Sequence, residues 1–327
     1  MLTCCNNSTS SRERSVEFRG REMRRLQEES APKKQHYVPQ YYLRRFSDDG
    51  DSLWVFNRKA GKTYKSRSED VCERNYHYEM EARCQRSWHG RHLLPGKIEK
   101  KLSEMEGEQA LLLREIDAQL DVGRIHEKER RALLWLVGHL IARHPAMLEG
   151  YEPDYDAMYS DPEVRWGCEV LAQAGMADEI EVLAQGANQM VLALWRCKGS
   201  PTYFAKSDLE RLRCHFIRPQ GEARFITSSL PPHFNTTLQK DGKYHIDDLT
   251  LPLSSTLAVV YSDAGPTKCD VLKVPDSTVV RLNSGYFVSE PTCEQVVSGR
   301  REDLDQARIL AQRFRISAAM ARRENHW

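Results

Sequence analysis

The apolar positions from residue 40 onward begin with a helical spacing. Tyr42, Leu43 and Phe46 fall on one side of a short turn of helix. Pro39 disfavours helical geometry at Val38, so the segment before it is expected to be extended. "SDDGDS" then reads as a turn, and "LWVFNR" alternates as a strand does. "KAGK" is a second turn and "TYKSRS" its returning partner, a β-hairpin. The period then lengthens. Ile98, Leu102, Met105, Gln109, Leu112 and Ile116 alternate spacings of four and three, which predicts an amphipathic helix. Residues 126–143, "HEKERRALLWLVGHLIAR", predict a more buried second helix ending before Pro145. A third helical region covers about 163–195, after the acidic linker "EGYEPDYDAMYSDPE".

Beyond "CKGSP" the pattern changes to strands. "RLRCHFIRP" and "ARFITSS", separated by "QGE", predict a hairpin, and "LTLPLSSTLAVVYSD" one or two more strands. "DSTVVRLNSGYFVSE" reads as a strand running into a loop around Asn283. A final helix starts near 289 or 303 and ends near Arg323. Residues 1–32 are polar and charge-mixed, and are expected to be a disordered tail. The fold class expected is α+β: an antiparallel sheet built from N- and C-terminal segments with a layer of central helices. Residues 33–327 form a single domain, helical over about 97–195 and β-rich over about 205–290.

Composition narrows the setting. The chain has 327 residues and a net charge of +1, so no global field draws it to nucleic acid or membrane. No apolar run is long enough to span a bilayer, and the first residues lack a secretory apolar core. Nine cysteines without a CxxC pair imply mostly reduced thiols. A cytoplasmic protein is expected. Neither a cofactor nor a specific partner is implied.

"QHYVPQYYLRRF", "LWVFNR", "IEKKLSEMEGEQALLLREI", "LIARHP", "FITSSLPP", "LPLSSTLAVV" and "VVRLNSGYF" occur in that order. This series resembles the DUF4238 family of uncharacterised proteins over roughly residues 34 to 300. The resemblance implies recurring polar positions at His36, Glu99, Glu106, Arg143, Thr227, Ser228 and Asn283. It also implies a departure: where the family pattern runs Phe-x-Thr-Ser-Asp-x-Pro, this chain has Ser229 in place of the aspartate.

Each candidate has a chemical and a structural reading. His36 suits a general base or a metal ligand, or a ring bonded to a neighbouring carbonyl. Glu99 and Glu106 are separated by about 10.5 Å of helix rise, too far to clamp one small ion unaided. Glu99, beside the apolar seam, needs a partner such as Arg143. Arg143 complements a helix C-terminus, or its planar fork binds an anion. Thr227 and Ser228 end a strand where ligands are commonly held. Ser228 as a nucleophile needs a base and an oxyanion hole, while a hydroxyl capping a turn needs neither. Cys72, His77, Cys84 and His89 invite a zinc reading, but their spacing departs from that of structural zinc sites, and no metal site is assigned. Tyr37, Tyr41, Tyr42, Arg44 and Arg45 leave nucleic acid open as a partner, without a recognised motif. The leading expectation is a polar pocket in which His36, Arg143, Thr227, Ser228 and Asn283 meet, with Glu99 as a further ligand-binding position. It acts as a hydrolase on a phosphate-containing or nucleic-acid substrate, with His36 and Ser228 catalytic. The alternative is a non-catalytic binding or protein-interaction module that has lost the aspartate at Ser229.

Overall fold

A computed structural model describes residues 33–75, 97–121, 127–148, 212–238, 244–263, 271–288 and 293–324, together with a few isolated positions between these stretches. By packing, the chain divides into two compact units. One comprises residues 1–35, 75–103 and 154–184, and the other residues 36–74, 104–153 and 185–327. The second unit carries nearly all of the described residues. The expected tail over 1–32, most of the third helical region and Cys84 and His89 lie outside the described residues.

The opening segment folds as its spacing predicts. After β1 (Lys34–His36), Pro39 caps α1 (Gln40–Leu43), which tightens into a 3-10 turn over Arg44–Phe46. Tyr42, Leu43 and Phe46 are fully buried. The next turn is organised by Asp49, whose Oδ1 accepts the N–H groups of Asp51 (3.0 Å) and Ser52 (2.6 Å). Gly50 takes a left-handed φ of 84° there. β2 (Ser52–Asn57) and β3 (Lys62–Arg67) form the expected antiparallel hairpin. β4 (Glu73–Asn75) is short. Two long helices come after it, α2 (Lys97–Asp121) and α3 (Glu127–Ala142), then one turn of helix, α4 (Pro145–Leu148).

The β-rich half supplies β5 (Arg213–Pro219), β6 (Thr227–Ser228), β7 (His233–Leu238), β8 (Tyr244–Ser254), β9 (Leu257–Ser262) and β10 (Val271–Val274). The chain then forms α5 (Asp276–Val288), β11 (Gln295–Ser298) and α6 (Arg301–Glu324). The fold is α+β. A four-stranded sheet, ordered β3-β2-β11-β6, joins N- and C-terminal segments as expected. A second sheet, β10-β5-β9-β8-β7, comes wholly from the C-terminal half. In it β10 runs parallel to β5, and the other neighbours are antiparallel.

Alternation along β2 decides where the four-stranded sheet sits. Leu53 and Val55 enter the main core with Leu113, Ile116, Leu136, Val137, Leu140, Phe216 and Leu251. Trp54 and Phe56 turn the other way, against a second cluster containing Phe287 of α5 and Leu304, Ala307 and Ala311 of α6. The guanidinium of Arg301 lies 5.7 Å from the Trp54 ring and that of Arg308 5.4 Å from Phe56. Among the described residues no helix is long and apolar enough to cross a membrane.

Two sequence expectations are corrected. Residues 276–288 are a helix, not a strand. Val279, Asn283, Tyr286 and Phe287 are buried at helical spacing, and this one-sided burial outweighs the β preference of the branched residues. β5 and the segment before β6 are not a hairpin. β5 pairs with β9 and β10, and β6 with β11. The N–H groups of Gly221, Glu222 and Ala223 instead reach the Asp276 carboxylate at 3.0, 3.0 and 3.2 Å, so the turn is used to start α5. The final helix begins at Arg301, and β11 just before it is absent from the sequence reading.

Gly299, between β11 and α6, has no room for a side chain. An added Cβ would collide with the Phe46 backbone carbonyl and approach Asp48 Oδ1 to 3.3 Å. Gly299→Ala is therefore expected to destabilise the protein by about 1–3 kcal/mol in a denaturant titration. An unchanged midpoint would contradict this packing.

Candidate functional site

Arg143 comes directly after the last turn of α3, its N–H bonded to the His139 carbonyl at 3.2 Å. Pro145 starts α4 two residues later, and the side chain turns inward. Its guanidinium is 2% exposed, and Nη1 contacts Glu106 Oε1 at 2.6 Å. Nη2 donates to the backbone carbonyl of His36. One cation thus holds α2, α3 and the opening segment together. A buried guanidinium requires such partners, because its desolvation is costly. Glu106, 25% exposed, is a carboxylate in contact with Arg143. Glu99 lies in the first turn of α2 and belongs to the other compact unit.

A second set of polar groups lies one turn away. Tyr41 donates to Gln109 Oε1 at 2.8 Å, and Gln109 Nε2 lies 2.9 Å from His139 Nδ1. Gln109 Oε1 also lies 3.1 Å from Nδ1, so both amide atoms face that ring nitrogen, and the other ring nitrogen is His139 Nε2. That Nε2 is buried and has no hydrogen-bond partner among the described residues. Burial, reinforced by the positive charge of Arg143, pulls the His139 pKa down to about 3. Burial, and then the Glu106 charge, raises the Tyr41 pKa. His36 itself is half-buried, with Nδ1 3.4 Å from Gln40 Nε2.

The residues of "FITSSLPP" are occupied differently. Tyr42 donates its hydroxyl to the Pro252 carbonyl and lies 3.3 Å from Thr227 Oγ1. Ser228 Oγ donates to the Leu230 carbonyl at 2.7 Å and accepts the Leu230 N–H at 3.1 Å, a closed local turn. Ser229 Oγ accepts the N–H groups of Glu294 (2.8 Å) and Gln295 (3.2 Å), while its own N–H donates to the Gln295 carbonyl at 2.8 Å. Asn283 reaches from α5 like a piece of strand. Its Oδ1 accepts the Ile226 N–H at 3.2 Å and its Nδ2 donates to the Arg224 carbonyl at 2.7 Å. Tyr286 donates to the Pro231 carbonyl. Thr227, Ser228, Ser229 and Asn283 are all buried.

The hydrogen bonds therefore bring His36 and Arg143 together, with Glu106, and bring Asn283 to the strand of Thr227 and Ser228. Tyr42, six residues after His36, bonds to the second group. Sequence reasoning missed Gln109 and His139. The available signal was that His139 lies four residues before Arg143, on the same helix face. Cys72 is a buried free thiol at a left-handed φ of 54°, its N–H held by Gln295 Oε1 at 3.0 Å. Burial pushes its pKa up, as it does that of Cys293, which leaves both thiols poor nucleophiles. Among the described residues, no group of three or more His, Cys, Asp or Glu side chains could hold a metal ion.

A family model, described as a protein of unknown function (DUF4238), matches residues 34–302. No curated protein and no solved structure matches the chain.

Removing the Glu106 carboxylate leaves a buried guanidinium short of its counter-charge, and Glu106→Ala is expected to cost about 3–5 kcal/mol. The double variant Arg143→Met/Glu106→Met should recover much of that loss, giving a coupling readable in a double-mutant cycle. Additive effects would contradict the tie. His139 adds a pH dependence. The unfolded chain binds its proton near pH 6.5 and the folded protein only near 3, so stability falls as pH drops through that window. Between pH 7 and 5 this group alone is expected to cost about 2 kcal/mol. His139→Gln should lose that part of the slope in urea titrations at the two pH values. An unaltered slope would contradict a neutral buried imidazole.

Proposed function

The chain belongs to the DUF4238 family, whose description names no reaction, and we propose from the geometry that it is a non-catalytic binding or protein-interaction module. One observation supports this reading above the others: at Arg143, Ser228 and Asn283, three of the positions the resemblance singles out, the polar side-chain atoms are bonded to backbone. The candidate nucleophile Ser228 both donates to and accepts from Leu230. Asn283 spans Arg224 and Ile226, and Arg143 clamps the His36 carbonyl. A nucleophile needs a base within reach and a free path to substrate. A scaffold residue needs satisfied partners, and these have them.

Ser229 fits the same reading. Where the resemblance puts an aspartate, the hydroxyl accepts two backbone N–H groups across to Glu294 and Gln295. A carboxylate suits that acceptor role equally well, so the replacement keeps a structural bond. The cytoplasm is the compartment proposed, in keeping with the thiols of Cys72 and Cys293, which form no disulfide.

A second reading, a hydrolase acting on a phosphate-containing or nucleic-acid substrate, is favoured by one observation. His36 is half-buried, and the guanidinium that holds its carbonyl also holds the partly exposed carboxylate of Glu106. An imidazole and a carboxylate whose residues share one guanidinium are the side-chain types that acid–base work uses.

The two readings separate in one assay. The full chain is incubated with p-nitrophenyl phosphate, single-stranded DNA and RNA, with magnesium, manganese or zinc added in turn. The binding reading expects no turnover above buffer. Turnover proportional to protein, and lost in His36→Ala with an unchanged circular dichroism spectrum, would establish the hydrolase instead. The role of position 229 is read in stability: Ser229→Ala should cost about 1 kcal/mol by removing the acceptor of the Glu294 and Gln295 N–H groups. Ser229→Asp should stay folded and gain no turnover, and gained turnover would contradict the structural role.

A further inference from the structure

The hairpin of β2 and β3 is strongly basic. Arg58, Lys59, Lys62, Lys65 and Arg67 fall in one stretch, with no acidic residue from 52 to 68. Arg58 and Arg67 are engaged: Arg58 Nη1 donates to the Tyr286 carbonyl, and Arg67 pairs with Asp51 and Glu69. Lys59, Lys62 and Lys65 are exposed, and no ion pair engages them among the described residues. Among the described residues β3 is the terminal strand of its sheet. Its six residues run without a bulge against β2, and its outer edge carries backbone N–H and C=O groups.

We propose that the outer edge of β3 is a docking edge for an acidic, extended segment of a partner protein, which joins the four-stranded sheet as a fifth strand. This rests on the binding-module reading and deepens it. Three features argue for that occupant. First, an open edge offers main-chain hydrogen bonds to an incoming strand, the mode by which sheets capture peptides. Second, the register puts the lysines on opposite faces. Lys62 stands opposite Asn57 and Tyr64 opposite Val55, whereas Lys65 stands opposite Trp54. Directly paired residues share a face, so Lys62 and Tyr64 point one way and Lys65 the other. The lysines share the edge and no single face. A peptide strand alternates side chains in the same manner and can answer both.

A single-stranded nucleic acid needs aromatic platforms on one face. Here Tyr64, 40% exposed, and Trp54 lie on opposite faces. Third, lysines on an edge repel an identical edge, which disfavours a second copy of this chain and favours an acidic partner.

The geometry also sets the spacing. Lys62 and Lys65 are three residues apart, so the partner's acidic residues should be three apart to meet one on each face. The test uses the full chain and a fluorescein-labelled octapeptide of threonine and valine with two glutamates three apart, read by anisotropy at low salt. Binding is expected to be about tenfold tighter than for the same composition with the glutamates two apart. It should weaken at least about tenfold in Lys62→Glu/Lys65→Glu, both exposed positions whose change leaves circular dichroism intact. It should also be lost when alternate peptide amides are N-methylated, since only strand addition uses them.

Equal binding of all peptides, or no binding of any, overturns the proposal. Tighter binding of an eight-nucleotide oligothymidylate, with the same lysine dependence, overturns it in favour of nucleic acid. None of these outcomes touches the binding-module reading, which fails only if the His36-dependent turnover assay is positive.

Discussion

The buried guanidinium of Arg143 is the contact on which the opening half of the structure depends. It sits where α3 ends, faces Glu106 on α2 and holds the His36 carbonyl. A cation at 2% exposure is tolerable only because these acceptors replace water. Once it is satisfied, the helical layer and the segment leading into Pro39 have a fixed relation. That relation lets Tyr42, Leu43 and Phe46 enter the core with the two sheets. The histidine-proline motif is thus tied through its backbone, while its imidazole stays half-buried.

A second set of ties organises the C-terminal half by the same logic. Residues 224–231 carry only a two-residue strand, so few of their backbone groups can be met by a ladder. Side chains take over: Asn283 at Arg224 and Ile226, Ser228 at Leu230, Tyr286 at Pro231. Ser229 links the segment to the start of β11. Buried polar backbone must find partners, and a segment too irregular for a sheet finds them in polar side chains. Polar residues that recur beside apolar motifs therefore have a structural explanation as complete as a catalytic one.

How much of this was legible in the sequence varied with the range of the interactions. The β2–β3 hairpin was readable because Asp49, Gly50 and Gly61 set its turns locally and alternation set its faces. The helix over 276–288 was not. Its valines and threonine carry β preference, and what decides the matter is distant, the capture of three N–H groups at 221–223 by Asp276 and burial against the second core cluster. The same cause removed the expected hairpin around "QGE". In the candidate site, Arg143 was identifiable from its place before a proline. The sequence reading gave Glu99 as the carboxylate in need of such a partner, whereas the structure shows Glu106, on the same stripe of α2, in contact with Arg143. His139 left only one mark, its place four residues before Arg143, inside an otherwise apolar helix.

The central claim is that the side chains of Arg143, Ser228 and Asn283 hold backbone in place. It is tested most directly by native-state hydrogen exchange on the full chain, comparing wild type with Asn283→Leu, a substitution of similar shape without the amide. Ile226 and its neighbours through Ser229, and Glu294 and Gln295 across from them, are expected to lose protection together, by at least about tenfold for each 1.4 kcal/mol lost. Amides in the β2–β3 hairpin should change less. Protection unchanged along 224–231 would mean that Asn283 is dispensable to the fold, and would contradict that claim.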